Sequence, residues 1–293
     1  GSGTDTEGAC PLHVAPWGGA ADEVDGRSWE TAYDSVVDAM RLAADLAPCE
    51  VWVAAGTYYL YRLSPITDTV RLASGVSLLG GFTGAETDAS ERDPAENQTV
   101  LDGRNGPDGE QAVYHVLQAD SEVDDSALVD GFTIQHGVAA GDFPNSMGGG
   151  LEAFEASPVI ARCRFTHNTA GIGGALTSRY GSPTIRDSIF DHNSASYHGA
   201  VHCYLGGHLT VERGVFYDNS GNSEGGAVSA SNSCWLTVVD SEFHDNSSGS
   251  GGAIWLGSPA CSGGDVTSSV FARNGAYDGA ALLAEEGCDV EIV

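Results

Sequence analysis

Phenylalanine recurs at positions 132, 165, 190, 216, 243 and 271, and this repetition restricts the possible folds more than any other feature of the chain. The last four intervals are 25, 26, 27 and 28 residues; the first is 33 and contains a longer loop. Asn stands three residues after each of the last five, at Asn168, Asn193, Asn219, Asn246 and Asn274, and Gly-Gly-Ala or a close variant follows. A branched aliphatic lies five residues before each of these Phe (Ile160, Ile185, Val211, Val238, Val266) and a small residue two before. One arrangement accounts for all of this: each repeat is a coil of a parallel solenoid, with like residues stacked about 4.8 Å apart along its axis. The Phe and aliphatic columns then fill the interior. Asn suits the turns because it tolerates left-handed dihedrals, and its stacked amides can bond from coil to coil. Three residues before Phe, Arg162, Asp187, Arg213 and Asp240 alternate in sign, which predicts weak ion pairs between neighbouring coils.

The 40 glycines among 293 residues agree with a fold built from many turns. Acidic residues number 41 against 12 basic ones, all Arg, for a formal charge of −29. Such a surface repels nucleic acid and anionic lipid. It also repels polyuronates unless divalent cations or local Arg clusters intervene. Seven Cys suggest an oxidising compartment. No apolar run reaches the 18 residues that would suggest a membrane span.

Residues 1–11 read as a cloning scar or spacer, 12–126 as a cap with the first irregular coils, and 127–293 as regular coils that break off within a repeat. Trp29, Tyr33, Val36, Met40, Ala43 and Ala47 recur at helical spacing, predicting a helix over 28–47 with Ser28 as its N-cap and Pro48 ending it. A helix here would cover the apolar end of a solenoid. Cys10 and Cys49 flank it and form a candidate disulfide. Cys234, Cys261 and Cys288 are spaced by 27 residues, which predicts one bridge between neighbouring coils among the three.

The cap segments Gly26–Tyr33, Val51–Tyr58 and Leu79–Thr87 resemble those of secreted bacterial right-handed β-helix repeat proteins, and Asp130–Ile134 looks like the first full coil of that group. The Phe-x-x-Asn and Gly-Gly-Ala-Ile pattern, complete at Phe243–Asn246 and Gly251–Ile254, is similar to the repeats of chlamydial polymorphic outer membrane proteins. The likeness spans roughly residues 12–293. It implies an all-β, right-handed, single-stranded parallel β-helix of the pectin-lyase-like kind with a helix-containing N-terminal cap. It further implies export, surface attachment and often adhesion, but no particular reaction.

Three arrangements on this scaffold bear on chemistry. Alternation from Ala175 places Thr177 and Arg179, then His202 and Tyr204, then Ser229 and Ser231, then Trp255 on an outward face. Arg179 to neutralise a uronate, His202 or Tyr204 as acid and base, and Trp255 as a sugar platform would make a lyase-like or purely binding groove; ordinary surface filling competes with it. The residues before each Asn, His167, His192, Asp218, Asp245 and Arg273, include two His and two Asp that are candidate metal ligands, although a polar turn surface explains them equally. Carboxylate pairs for glycoside hydrolysis are too abundant to be specific. The leading expectation is a monomeric adhesion or carbohydrate-binding module, secreted or on the outer cell surface, without catalysis. Its partner would be a polysaccharide, or a glycan or protein of a host or neighbouring cell. A polysaccharide lyase or hydrolase acting along the face, and a stalk displaying a distal domain, are the alternatives. No cofactor is implied, with calcium the one ion left open.

Overall fold

The computed structural model describes residues 10–19, 24–257 and 263–293. All strand pairs are parallel, and they build three long sheets. Sheet 1 has ten strands, from Leu12–Val14 to Val290–Ile292. Sheet 2 has eight, from Gly56–Tyr59 to Val270–Ala272, and sheet 3 has eight, from Val70–Arg71 to Leu282–Ala284. A short four-stranded sheet, Val138–Ala139 to Ser220–Gly221, runs between sheets 2 and 3.

One coil shows how the sequence turns its corners. Thr184–Arg186 lies in sheet 1, Ile189–Asp191 in sheet 2, Ser194–Tyr197 in the short sheet and Val201–Tyr204 in sheet 3. Asp187, His192 and His198 stand between these strands, all with left-handed dihedrals (φ 51°, 54° and 55°). The turn Asn residues do not adopt that conformation themselves. The residue before each of them does, at His167, His192, Asp218, Asp245 and Arg273 (φ 53–59°). This corrects the role expected for Asn: the preceding residue turns the chain, leaving the amide free to point inward.

Inward, the amides form a continuous ladder. Asn193 Nδ2 donates to Asn219 Oδ1 (3.1 Å) and to the Phe165 carbonyl (2.9 Å), and the backbone N–H of Asn193 donates to the same Asn219 Oδ1. Asn168, Asn219, Asn246 and Asn274 continue the pattern. Beside it Phe165, Phe190, Phe216, Phe243 and Phe271 stack with centroids 4.8–5.0 Å apart and planes within 8°. Phe132 does not belong to this column. Phe165 is in register with Ile134, and Phe132 with Thr99, so the aliphatic side chain continues the stack towards the cap.

The helix is shorter than its apolar spacing predicts. Trp29–Thr31 is a separate 3-10 turn capped by Ser28, and the α-helix runs Val36–Leu46 from an N-cap at Ser35, whose hydroxyl accepts from Asp38 N–H. Val36, Ala39, Met40 and Ala43 are buried over the first coils. Cys10 and Cys49 are bridged, with Cα atoms 5.5 Å apart. Cys234 does not pair with the next coil as expected but with Cys203, Cα–Cα 6.0 Å, because both side chains enter the core. Cys261 lies outside the described residues; Cys288 is disulfide-bonded. Of the alternating column, Arg213 grips Asp187 through two bonds, whereas Arg162 turns to Asp130.

Candidate functional site

The register brings the proposed catalytic face together as two columns on sheet 3. Glu152, Thr177, His202, Ser229 and Trp255 align in one; Phe154, Arg179, Tyr204 and Ser231 in the other. The face is nonetheless closed. Arg179, His202 and Trp255 are 7, 2 and 5 % exposed. Arg179 donates from Nε and Nη2 to Glu152 Oε1 (3.2 and 2.5 Å), with its guanidinium between the Phe154 and Phe143 rings at 4.5 and 5.2 Å. Its guanidinium is paired with Glu152 and enclosed, so no N–H edge is offered to a uronate. The His198 ring lies flat on that of His202 at 3.8 Å, and Tyr204 Oη contacts Met147 Sδ. Burial, then the neighbouring His198, holds His202 well below the imidazole range, while burial raises the Tyr204 phenol.

These are corrections to the open groove expected there. Alternation decides on which side of a strand a residue falls. It does not report what packs over that side: here His198 at the corner and the loop that carries Phe143 and Met147. Met147 is buried and Phe143 is 66 % exposed.

The acidic pair Asp218 and Asp245 does not form a cation site either. Asp245 receives two bonds from Arg273 (2.8 and 2.6 Å) and one from His244, so its charge is neutralised by protein. Among the described residues, no group of three or more His, Cys, Asp or Glu is placed to hold a metal ion.

A different site stands open over sheet 2. Residues 92–95 and 98 of the cap lie beside the coils and help wall a groove of about 780 Å³, lined by Arg92, Asp93, Gln135, Arg162, Arg164 and Asp187 among others. Three of the twelve cations in this acidic protein therefore meet in one concavity. Each is aimed by a buried carboxylate. Arg92 and Arg162 share Asp130 (3.1 and 2.7 Å), and Arg164 forms a two-bond pair with Asp191 (2.7 and 2.9 Å). Burial would raise the Asp191 carboxyl, but bonds from Arg164, His192 and Thr166 hold it below the usual range, so it stays ionised. The Arg162 and Arg164 side chains remain 54 and 47 % exposed, with N–H edges left for a ligand. Guanidiniums fixed in this way lose little freedom on binding a carboxylate or sulfate. The one signal in the sequence was Arg162-Cys163-Arg164, two cations two residues apart in a chain poor in cations. Arg92 gave no signal, since it comes from a cap segment 70 residues earlier.

The chain's disulfides fit an oxidising compartment, and no helix among the described residues is long and apolar enough to cross a membrane. Neither a curated protein nor a solved structure matches the chain. The family described as "Right handed beta helix region" matches residues 121–290, more than half of the chain. With the parallel register running from coil to coil through that whole stretch, the chain belongs to the right-handed β-helix family.

Proposed function

We propose that this protein is a carbohydrate-binding module of the extracellular or outer-surface milieu that holds an acidic glycan in the groove over sheet 2 and does not cleave it. The observation that carries this reading is the convergence of Arg92, Arg162 and Arg164 in one groove of a protein with formal charge −29. Carboxylates offset the charge of these Arg, so what the groove offers an anionic ligand is the exposed N–H edges of Arg162 and Arg164, held in place by Asp130 and Asp191. The non-catalytic part of the reading is supported by the sheet 3 face, where Arg179 is paired with Glu152 and His202 is enclosed. Placement outside the cytoplasm is supported by the Cys10–Cys49 and Cys203–Cys234 disulfides, and the partner in this reading is a glycan of a host or neighbouring cell.

The test is a glycan array run beside a polysaccharide-cleavage panel, with Arg162→Gln as the variant. Asp130 keeps Arg92 as a partner in that variant, so the fold is retained. Selective binding of carboxylated or sulfated glycans, lost in Arg162→Gln, supports the reading. Release of new reducing ends or of unsaturated uronate overturns the non-catalytic part. Silence in both panels moves the protein to the structural-stalk class.

A further inference from the structure

Beside the groove, where sheet 2 turns towards the short sheet, three imidazoles are stacked on successive coils. His136 and His167 have ring centroids 5.7 Å apart; His167 and His192 are 5.1 Å apart and within 6° of parallel. They follow directly on Gln135, Thr166 and Asp191, and the first two of these residues line the groove.

The inner nitrogens fix the tautomers. His136 Nδ1 is 3.1 Å from Asp102 Oδ2, and His192 Nδ1 is 2.8 Å from Asp191 Oδ2. Both carboxylates are ionised. Burial acts to raise Asp102, but bonds from His136, Arg104 and Gln135 outweigh it and hold it low. Each carboxylate therefore accepts from an Nδ1–H. His167 Nδ1 meets Thr166 Oγ1 at 2.8 Å, and that hydroxyl donates its own proton to Asp191 at 2.8 Å. Thr166 must then accept from His167 Nδ1–H. All three neutral rings thus carry their proton on Nδ1 and their lone pair on Nε2. Among the described residues no hydrogen bond engages Nε2 of His136 or His167, and Nε2 of His192 lies 3.9 Å from Asp218. The His167 and His192 rings, near-parallel and 5.1 Å apart, keep their lone pairs side by side, and His136 is tilted by 33° at 5.7 Å; among the described residues these rings form no group placed to hold a metal ion.

We propose that His136, His167 and His192 form an anion-binding extension of the Arg groove that captures a carboxylate or sulfate of the glycan together with a proton. The inference rests on the groove reading above. In the neutral ladder, outward lone pairs turn an anion away. Protonation at Nε2 converts each into an N–H donor, and the anion and the proton stabilise one another. Other charged or titratable groups facing the ladder are Asp102, Arg104, Arg164, Asp191, Asp218 and Tyr217. His167 sits in the middle. Burial and then the charges of His192 and His136 keep it below the ordinary imidazole range, so it is the rung that a bound anion shifts most.

Two measurements separate this inference from the groove reading. The first is NMR titration of the histidine rings with and without inorganic sulfate, using His167→Gln to assign the middle rung. Sulfate is expected to raise the His167 midpoint and to leave that of buried His202 unmoved. Midpoints of all three rungs unchanged by sulfate would overturn the inference, whatever glycans bind. The second is calorimetry with oligogalacturonate at about pH 7.5 and 5.5, in buffers of differing ionisation enthalpy. Affinity should rise about tenfold at the lower pH with net proton uptake, and His167→Gln should remove most of that rise while retaining binding at about pH 7.5. Binding of equal strength at both pH values refutes the ladder and leaves the groove standing. Absence of binding at either pH refutes the groove, and with it this extension.

Discussion

Asn219→Ala is the sharpest perturbation of the ladder because Asn219 occupies a fully enclosed rung. Its Nδ2 donates to the Phe190 carbonyl (2.7 Å) and to Asn246 Oδ1 (2.9 Å), and its Oδ1 accepts both Asn193 N–H and Asn193 Nδ2 (3.1 Å each). Alanine removes four bonds. It leaves the backbone N–H of Asn193 buried without its acceptor, whereas Asn193 Nδ2 keeps the Phe165 and Asp191 carbonyls. An orphaned buried donor costs about 1–3 kcal/mol and each of the other three bonds about 0.5–1.5, so the loss should be about 2.5–7.5 kcal/mol. Asn274→Ala is the internal control. It is the last rung and partly exposed, so water replaces much of what is lost and the cost should be about 1–2 kcal/mol. Urea unfolding followed by circular dichroism gives the two midpoints, and hydrogen exchange reads the Asn193 amide directly. Because each coil touches only its neighbours, Asn219→Ala should also weaken cooperativity between the two halves. Equal midpoints for the two variants, or a protected Asn193 amide in Asn219→Ala, would refute the reasoning.

Other consequences are as direct. His198 is largely enclosed, its Nδ1 makes no hydrogen bond among the described residues and lies 3.9 Å from Glu224, and burial lowers its pKa to about 4. The unfolded chain takes up that proton near the ordinary imidazole value, so stability is full above about pH 6.5 and falls as pH drops towards 4, by about 3 kcal/mol from this group. Melting temperature against pH should show the slope. His198→Gly, which places at this corner the residue found at Gly173 and Gly225 (φ 59° each), should flatten it; an unchanged slope refutes the assignment. Breaking Cys203–Cys234 with paired Ala substitutions opens a loop with a sequence separation of 31 and should lower stability by about 3–4 kcal/mol in urea unfolding. Cys163 is fully buried with its thiol pushed up to about 12, so iodoacetamide should leave it unmodified until denaturant is added, as peptide mass mapping would show.

What is legible in the sequence is whatever repeats once per coil. Phe165 to Phe271 and Asn168 to Asn274 announce columns because a solenoid turns constant sequence separation into constant contact, and stacking identical groups is its main cohesive device. The same logic failed where periodicity did not apply. Phe132 was counted in the recurrence despite its interval of 33 residues, yet Ile134 holds the column position, since a loop of irregular length hides the true register. Ser28 carried a valid cap signal for a 3-10 turn, and the α-helix began later, at the next Ser able to bond its first amides.

Only the tertiary structure decided the site. Arg179, His202, Tyr204 and Trp255 were grouped correctly by register, but their exposure depends on His198 and the Phe143–Met147 loop lying over them. Arg92 joins Arg162 and Arg164 through folding of the cap, and Cys203 reaches Cys234 through side-chain direction in the core. By itself the sequence determined the coil, its filling and its ladders, because those are nearest-neighbour interactions written once per repeat. What covers a face, and which distant cations meet beside it, depends on single non-repeating segments whose paths are set by the packing of the whole chain.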